Sequence, residues 1–214
     1  RKALSMAMDR ETIVEKITMG GQIAAGGVVP PGLKDENGND FREAVGNLIE
    51  YNPEEAKVLF EEGLAEEGMT LEEFNSGQFV ILYNTSESHK KIAQAIQEMW
   101  RTTLGIEIVL ENVEFQVKLD REQSGDYHIS RAGWIGDYMD PMTFLDLWWS
   151  ESAFNDVNYN NPEYDALIRK AKSTNDQNER MAAMKEAERM LMEDMPVIPV
   201  DFYTQPYTVK PNVA

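Results

Sequence analysis

Two short apolar runs with one helical stretch between them constrain this chain more than any other feature. Residues 79–83 (FVILY) are continuously apolar between Gly77 and Asn84, the pattern of a strand buried on both faces. Residues 106–110 (IEIVL) follow Gly105 and read as a second strand. Between them, Thr85-Ser86-Glu87-Ser88 offers caps for a helix over about 88–103, with Ile92, Ile96, Met99 and Trp100 on one face. Strand–helix–strand at this spacing argues for a right-handed parallel crossover. The expected class is α/β, with a mixed, largely parallel sheet flanked by helices.

The rest of the chain fits that plan. Residues 2–8 read as the end of one helix, and Asp9 caps a second over 10–19 that Gly20-Gly21 stops. Residues 22–31 (QIAAGGVVPP) read as an ordered loop, and 31–46 as a polar loop with a turn at Asn37-Gly38. Asn52-Pro53-Glu54-Glu55 combines a cap, a first-turn proline and acids at the positive end of a helix dipole. That helix ends at Gly68. A short helix over 114–123, a third strand over 127–135 and a helix over 141–149 follow. Asn161-Pro162 and Asp176 open two more, to about Ser173 and Glu193. Residues 196–203 (PVIPVDFY) return as an extended segment, placed by two prolines at an edge or a crossing. Residues 205–214 have no evident partner.

Composition narrows the function. There are 38 acidic and 20 basic residues, a net charge of −18, which repels phosphate backbones and argues against nucleic acid as a partner. Cysteine is absent, so disulfides, zinc thiolates and thiol catalysis are excluded within the chain. No run approaches the roughly 20 apolar residues of a membrane span. The first residues (RKALSMAM) read as mid-helix without a cap, and suggest a piece of a longer protein. His89 and His128 are the only histidines, and neither sits in a metal motif or beside an EF-hand loop. Asp126, His128 and Ser130 fall on one face of the expected third strand. Their spacing of about 6.5–7 Å leaves them parallel rather than converging as a triad must. His89 opens a helix at the carboxyl end of the sheet, where open α/β folds collect ligands. It reads either as an anion contact or as a plain surface histidine.

Residues 131–138 (RAGWIGDY) stand out. Gly133 leaves the backbone beside Trp134 uncovered, Asp137 follows on a loop, and Asp140-Pro141 supplies the next helix start. From the residues alone, Asp137 is either a turn residue or a receptor for a cation, and Trp134 either core or a pocket wall. The functional version is β-augmentation: an extended peptide adds its backbone near 133–135 while Asp137 meets its ammonium.

Several further segments carry a resemblance. They are RKALSMAMDRETIV (1–14), VVPPG (28–32), YNPEEAKVLFEEG (51–63), YNTSESHKKIAQAIQEMWRTTLGIEIVLENVEF (83–115), RAGWIGDYMDPMTFL (131–145), NNPEYDALI (160–168) and MPVIPVDFYTQPYTVKP (195–211). In this order, over nearly the whole chain, they resemble the solute-binding proteins of peptide ABC importers, the oligopeptide- and dipeptide-binding family. The resemblance implies a type II periplasmic-binding-protein-like fold of two lobes. Residues 1–204 would be the second ligand-binding lobe, with 205–214 returning towards a first lobe. It further implies that Asp137 takes the ligand's N-terminal ammonium and that Gly133, Trp134 and Ile135 lie along the ligand. Arg131 and His89 would face the ligand, His89 towards the peptide C-terminus. A further arginine of some members falls near Arg121 and Glu122. The implied protein is extracytoplasmic, works with membrane permeases and meets the membrane only through a lipid anchor outside this chain. It is no enzyme and needs neither cofactor nor metal. The alternatives are another solute, such as a nickel chelate, haem or sugar, or a serine hydrolase.

Overall fold

A computed structural model describes residues 1–205 and 207–210. The chain opens with α1 (Lys2–Met6), α2 (Arg10–Thr12), a π-helical turn (Ile13–Thr18) and β1 (Ile23–Ala24). It continues through α3 (Phe41–Val45), α4 (Pro53–Glu66), α5 (Leu71–Ser76), β2 (Val80–Asn84), α6 (Glu87–Leu104), β3 (Val109–Val113), α7 (Phe115–Ser124) and β4 (Ile129–Ser130). It closes with α8 (Met142–Leu145), α9 (Pro162–Ser173), α10 (Gln177–Asp194) and β5 (Asp201–Phe202).

The expected crossover is present: β2 pairs in parallel with β3 on one side and with β4 on the other. The larger sheet is wholly parallel, and a separate antiparallel ladder joins β1 to β5. Ser86 caps α6 and Gly105 ends it in the left-handed region. Trp100, Ile96, Ala93 and Leu104 are its buried face, and the Trp100 indole donates to the Leu4 carbonyl at 2.8 Å.

Several expectations need correcting. The second strand is Val109–Val113, shifted three residues along from the apolar run at 106–110. Ile106 and Ile108 are buried without pairing, because apolarity reports burial and not hydrogen bonding. The helix after Asp9 widens into the π turn and stops at Met19, with φ 50°, one residue before the glycines. The loop 31–46 contains α3, capped by Asp40 and pinned by a fully buried Phe41. The segment 69–78 contains α5, where Thr70 and Glu73 form a capping box. The loop 22–31 contributes β1. The third strand shrinks to two residues, and the helix expected over 141–149 to four. The segment 205–214 lies partly outside the described residues, which exclude 206 and 211–214.

Two apolar clusters support these elements. One gathers α3, α8, α9 and α10 around Tyr164, Ile168, Met184 and Leu191. The other gathers α1, α4, α6 and β2 around Ile13, Ala56, Ile81 and Trp100. In the first cluster the fully buried Glu188 ties two distant segments to α10. Its Oε1 accepts from the backbone of Val28 and Val29, each at 2.9 Å, and from Arg42. Burial still pushes its carboxyl above the ordinary range, with Arg42 opposing. Removing one partner of such a pair strands the others in a dry site. Glu188→Ala should therefore lose about 3–5 kcal/mol, read from urea unfolding; a loss near that of a surface substitution would show the pair to be dispensable.

Candidate ligand-binding site

The parallel strands all end on one edge of the sheet, and two of the expected residues lie there. Past Asn84, the last residue of β2, Ser86 accepts from the His89 backbone at 3.4 Å and sets His89 in the first turn of α6. The His89 ring is half-buried, and its Nδ1, like Asn84 Oδ1, is buried without a partner among the described residues. Burial lowers the imidazole pKa below its ordinary 6.5; the Arg131 charge adds to this, the Asn84 backbone opposes it, and Lys118 adds a smaller push.

Arg131 leaves β4 with its backbone N–H still bonded to the Leu82 carbonyl at 2.8 Å. Its guanidinium donates to the Tyr203 hydroxyl. The guanidinium carbon is 5.8 Å from the Tyr203 ring centroid. A group bonded to the hydroxyl at that separation lies end-on to the ring, so the contact is a hydrogen bond rather than cation–π. Burial lowers the Arg131 pKa, and the charges of Asp201 and Glu122 oppose that. Burial raises the Asp201 carboxyl, and Arg131 holds it back.

Beyond Arg131 the chain is not a strand. The backbone of residues 132–136 makes no hydrogen bond among the described residues. Gly133 has an internal reason to be glycine: a Cβ there would meet the Tyr203 hydroxyl at 2.5 Å. The uncovered backbone expected at Gly133 therefore has Tyr203 on one side. Trp134 is half-buried, edge-on to Phe154 with centroids 4.9 Å apart, and its indole N–H is buried without a partner. Ile135 is 78% exposed. Gly136 passes within 3.0 Å, measured from an added Cβ, of Thr143 and Phe144. The next backbone N–H, that of Asp137, donates to Thr143 Oγ1 at 3.0 Å. The exposed Asp137 carboxylate has no partner among the described residues. Asp140 accepts from the Met142 backbone and takes a bidentate contact from Arg180 at 2.7 and 2.8 Å, which fixes the far side of the loop.

Asp126, His128 and Ser130 do not converge. Asp126 pairs with Arg121, His128 lies edge-on to Phe79, and Ser130 donates to Glu122. Among the described residues no cluster of three or more His, Asp or Glu is placed to hold a metal, and no helix is long and apolar enough to cross a membrane. Sequence reasoning missed Tyr203 and Asp201 as neighbours of Arg131, and Phe154 as the neighbour of Trp134. Those contacts span long separations and leave no local pattern. Lys118 and Glu122 did leave one, an oppositely charged pair four residues apart on a helix. The arrangement offers an exposed carboxylate, a free length of backbone and a cationic group in line. That suits a ligand with an extended backbone and a positive end.

The chain is similar to known proteins in both sequence and fold. Over 214 residues the chain is 36% identical to the oligopeptide-binding protein OppA of Bacillus subtilis (strain 168), covering all of this chain and 38% of that protein. It is 38% identical over 206 residues to the dipeptide-binding protein DppE of the same organism, covering 96% of this chain and 37% of that one. The chain thus spans well under half the length of these relatives. A crystal structure described as a peptide ABC transporter, peptide-binding protein, superposes with a TM-score of 0.84 at 34% identity, covering 94% of this chain and 88% of that one. Residues 1–156 match the family described as bacterial extracellular solute-binding proteins, family 5, middle. On that match, and on a periplasmic-binding-protein-like α/β fold shared with solved relatives, the chain belongs to the family 5 extracellular solute-binding proteins.

Proposed function

We propose that this chain is a ligand-binding lobe of an extracytoplasmic peptide-binding protein that feeds an ABC importer. Residues 1–204 form the lobe, and 205–214 run back towards a first lobe. The observation that carries the reading is the unpaired backbone of residues 132–136, flanked by Arg131 at one end and the free Asp137 carboxylate at the other. A bound peptide supplies the missing backbone partners, its N-terminal ammonium meets Asp137, and Trp134 walls a side-chain pocket. Gly133 and Ile135 lie along the ligand, while Arg131 and His89 face it, His89 towards its C-terminus. Binding involves no covalent step, cofactor or metal. Delivery goes to membrane permeases, and a lipid anchor outside this chain holds the protein at the membrane. A nickel chelate, haem or sugar has no terminal ammonium to meet Asp137 and no peptide backbone to pair with residues 132–136, which disfavours it.

In the two-lobed protein, calorimetry should show a free tripeptide binding about ten- to a hundredfold more tightly than its N-acetylated twin, the worth of a hydrogen bond to a charged group. Asp137→Ala should bring the free tripeptide down to the acetylated level. Equal affinities for both ligands would remove Asp137 from this role. His89 gives a pH dependence. Its folded-state pKa lies below the ordinary 6.5, so the unfolded chain binds the proton more readily. The stability it contributes is complete above about pH 6.5 and drains away as pH falls through the lower folded value. Urea midpoints at pH 7.5 and pH 5 should differ less in His89→Gln than in the parent; an unchanged difference would mean that the ring titrates alike in both states.

A further inference from the structure

A buried charge pair lies behind the ligand segment, outside every contact proposed for the peptide. Lys118 and Glu122 are 3% and 7% exposed on one face of α7. Glu122 Oε1 accepts from Lys118 Nζ and also from the Ser130 hydroxyl, the latter at 2.6 Å. Ser130 is the last residue of β4. The register of that strand on β2 consists of Ile81 opposite Ile129 and Leu82 opposite Ser130. One more backbone bond follows, from Arg131 to Leu82, and then the chain runs unpaired to residue 136. After the Arg131–Tyr203 contact, the Ser130–Glu122 bond is the side-chain tether nearest the start of the free stretch, and the one that joins it to α7. The same cluster reaches two neighbouring elements. The Lys118 charge adds a small downward push to the His89 pKa, and the Asp156 carboxyl, on the loop before α9, is raised by burial and then by Glu122. Tyr127 closes it by donating to the Asp156 carbonyl at 2.9 Å.

Stability does not account for such a pair. Two charges taken out of water gain little net, and well-packed apolar side chains of similar volume do as well or better. What the pair provides is direction. Lys118 offsets the buried carboxylate charge and fixes one oxygen as a strong, oriented acceptor for a single hydroxyl. We infer that Lys118, Glu122 and Ser130 are positioning residues: a relay from α7 that sets the height and angle at which residues 131–135 leave the sheet. Its effect on affinity rests on the proposed ligand path; its effect on the segment does not.

Amide hydrogen exchange and calorimetry on the full-length, two-lobed protein separate these. In Ser130→Ala, the Arg131 amide should exchange about tenfold faster, the order of one lost hydrogen bond to a charged group. Amides in β3 and α10 should keep their rates, and Ser130→Thr should restore the parent value. A Lys118→Met/Glu122→Leu double variant should keep its Tm, show the same faster exchange at Arg131, and bind free and N-acetylated tripeptide more weakly by the same factor. Unchanged exchange at Arg131, or acceleration spread evenly over the protein, would reduce the pair to ordinary packing. Faster exchange with unaltered tripeptide affinity would overturn the link to the ligand. If the parent protein binds no tripeptide, the peptide reading fails, while the exchange rates still decide the relay.

Discussion

Parallel pairing governs this structure. Two neighbouring parallel strands cannot be joined by a tight turn, so each must be followed by a crossover long enough to carry the chain back. The stretch from β2 to β3 holds α6, and that from β3 to β4 holds α7. A right-handed sense puts both helices where their apolar faces meet the sheet. The consequence is chemical as well as geometric. Every parallel strand ends on the same edge, so Asn84, Val113 and Ser130 deliver their following loops to one place. His89 and Arg131 are neighbours for that reason, although 42 positions separate them in the sequence.

The sequence made the crossover legible because its signals are local: an apolar run, a cap, an amphipathic helix, a glycine stop. The same holds for α9 and α10, where Asn161 and Asp176 cap as expected and Tyr164, Met181, Met184, Ala187 and Leu191 turn inward. What stayed hidden depends on partners far along the chain. Ile106 and Ile108 read as strand residues, yet pairing begins at Val109, because register is chosen by the partner strand. Residues 131–135 read as strand, yet nothing pairs with them. The capping box at Thr70 and Glu73 was legible and shows how short helices escape a search keyed to apolar periodicity. In the candidate site, Asp137 and Trp134 were visible as types in a suggestive order. Tyr203, which crowds both Arg131 and Gly133, was not.

Polar burial divides the molecule into two kinds of anchoring. Arg10 is 6% exposed, and its guanidinium donates to the carbonyls of Ser5, Met8 and Pro199 and to the Ser5 hydroxyl. Each of those bonds has a good acceptor, and burial brings the Arg10 pKa down only to about 10. Glu188 keeps its second oxygen buried without a partner, and Arg42 Nε is likewise unpartnered. The first arrangement gives every guanidinium nitrogen a partner. The second holds a carboxylate short of full satisfaction, which makes it sensitive to any change among Val28, Val29 and Arg42.

The antiparallel ladder between β1 and β5 joins residues roughly 180 positions apart through two paired residues on each side. Closing so long a loop costs chain entropy that two pairs repay only after the rest of the lobe is in place. Two further bonds extend the ladder, from the Ala25 amide to the Val200 carbonyl and from the Thr204 hydroxyl to the Gly20 carbonyl. Tyr203 follows directly on β5, so the side chain that crowds Gly133 and holds Arg131 rides on this long-range pairing. The candidate site thus has one wall anchored in the parallel sheet and another whose place depends on two chain segments far apart in sequence pairing with each other.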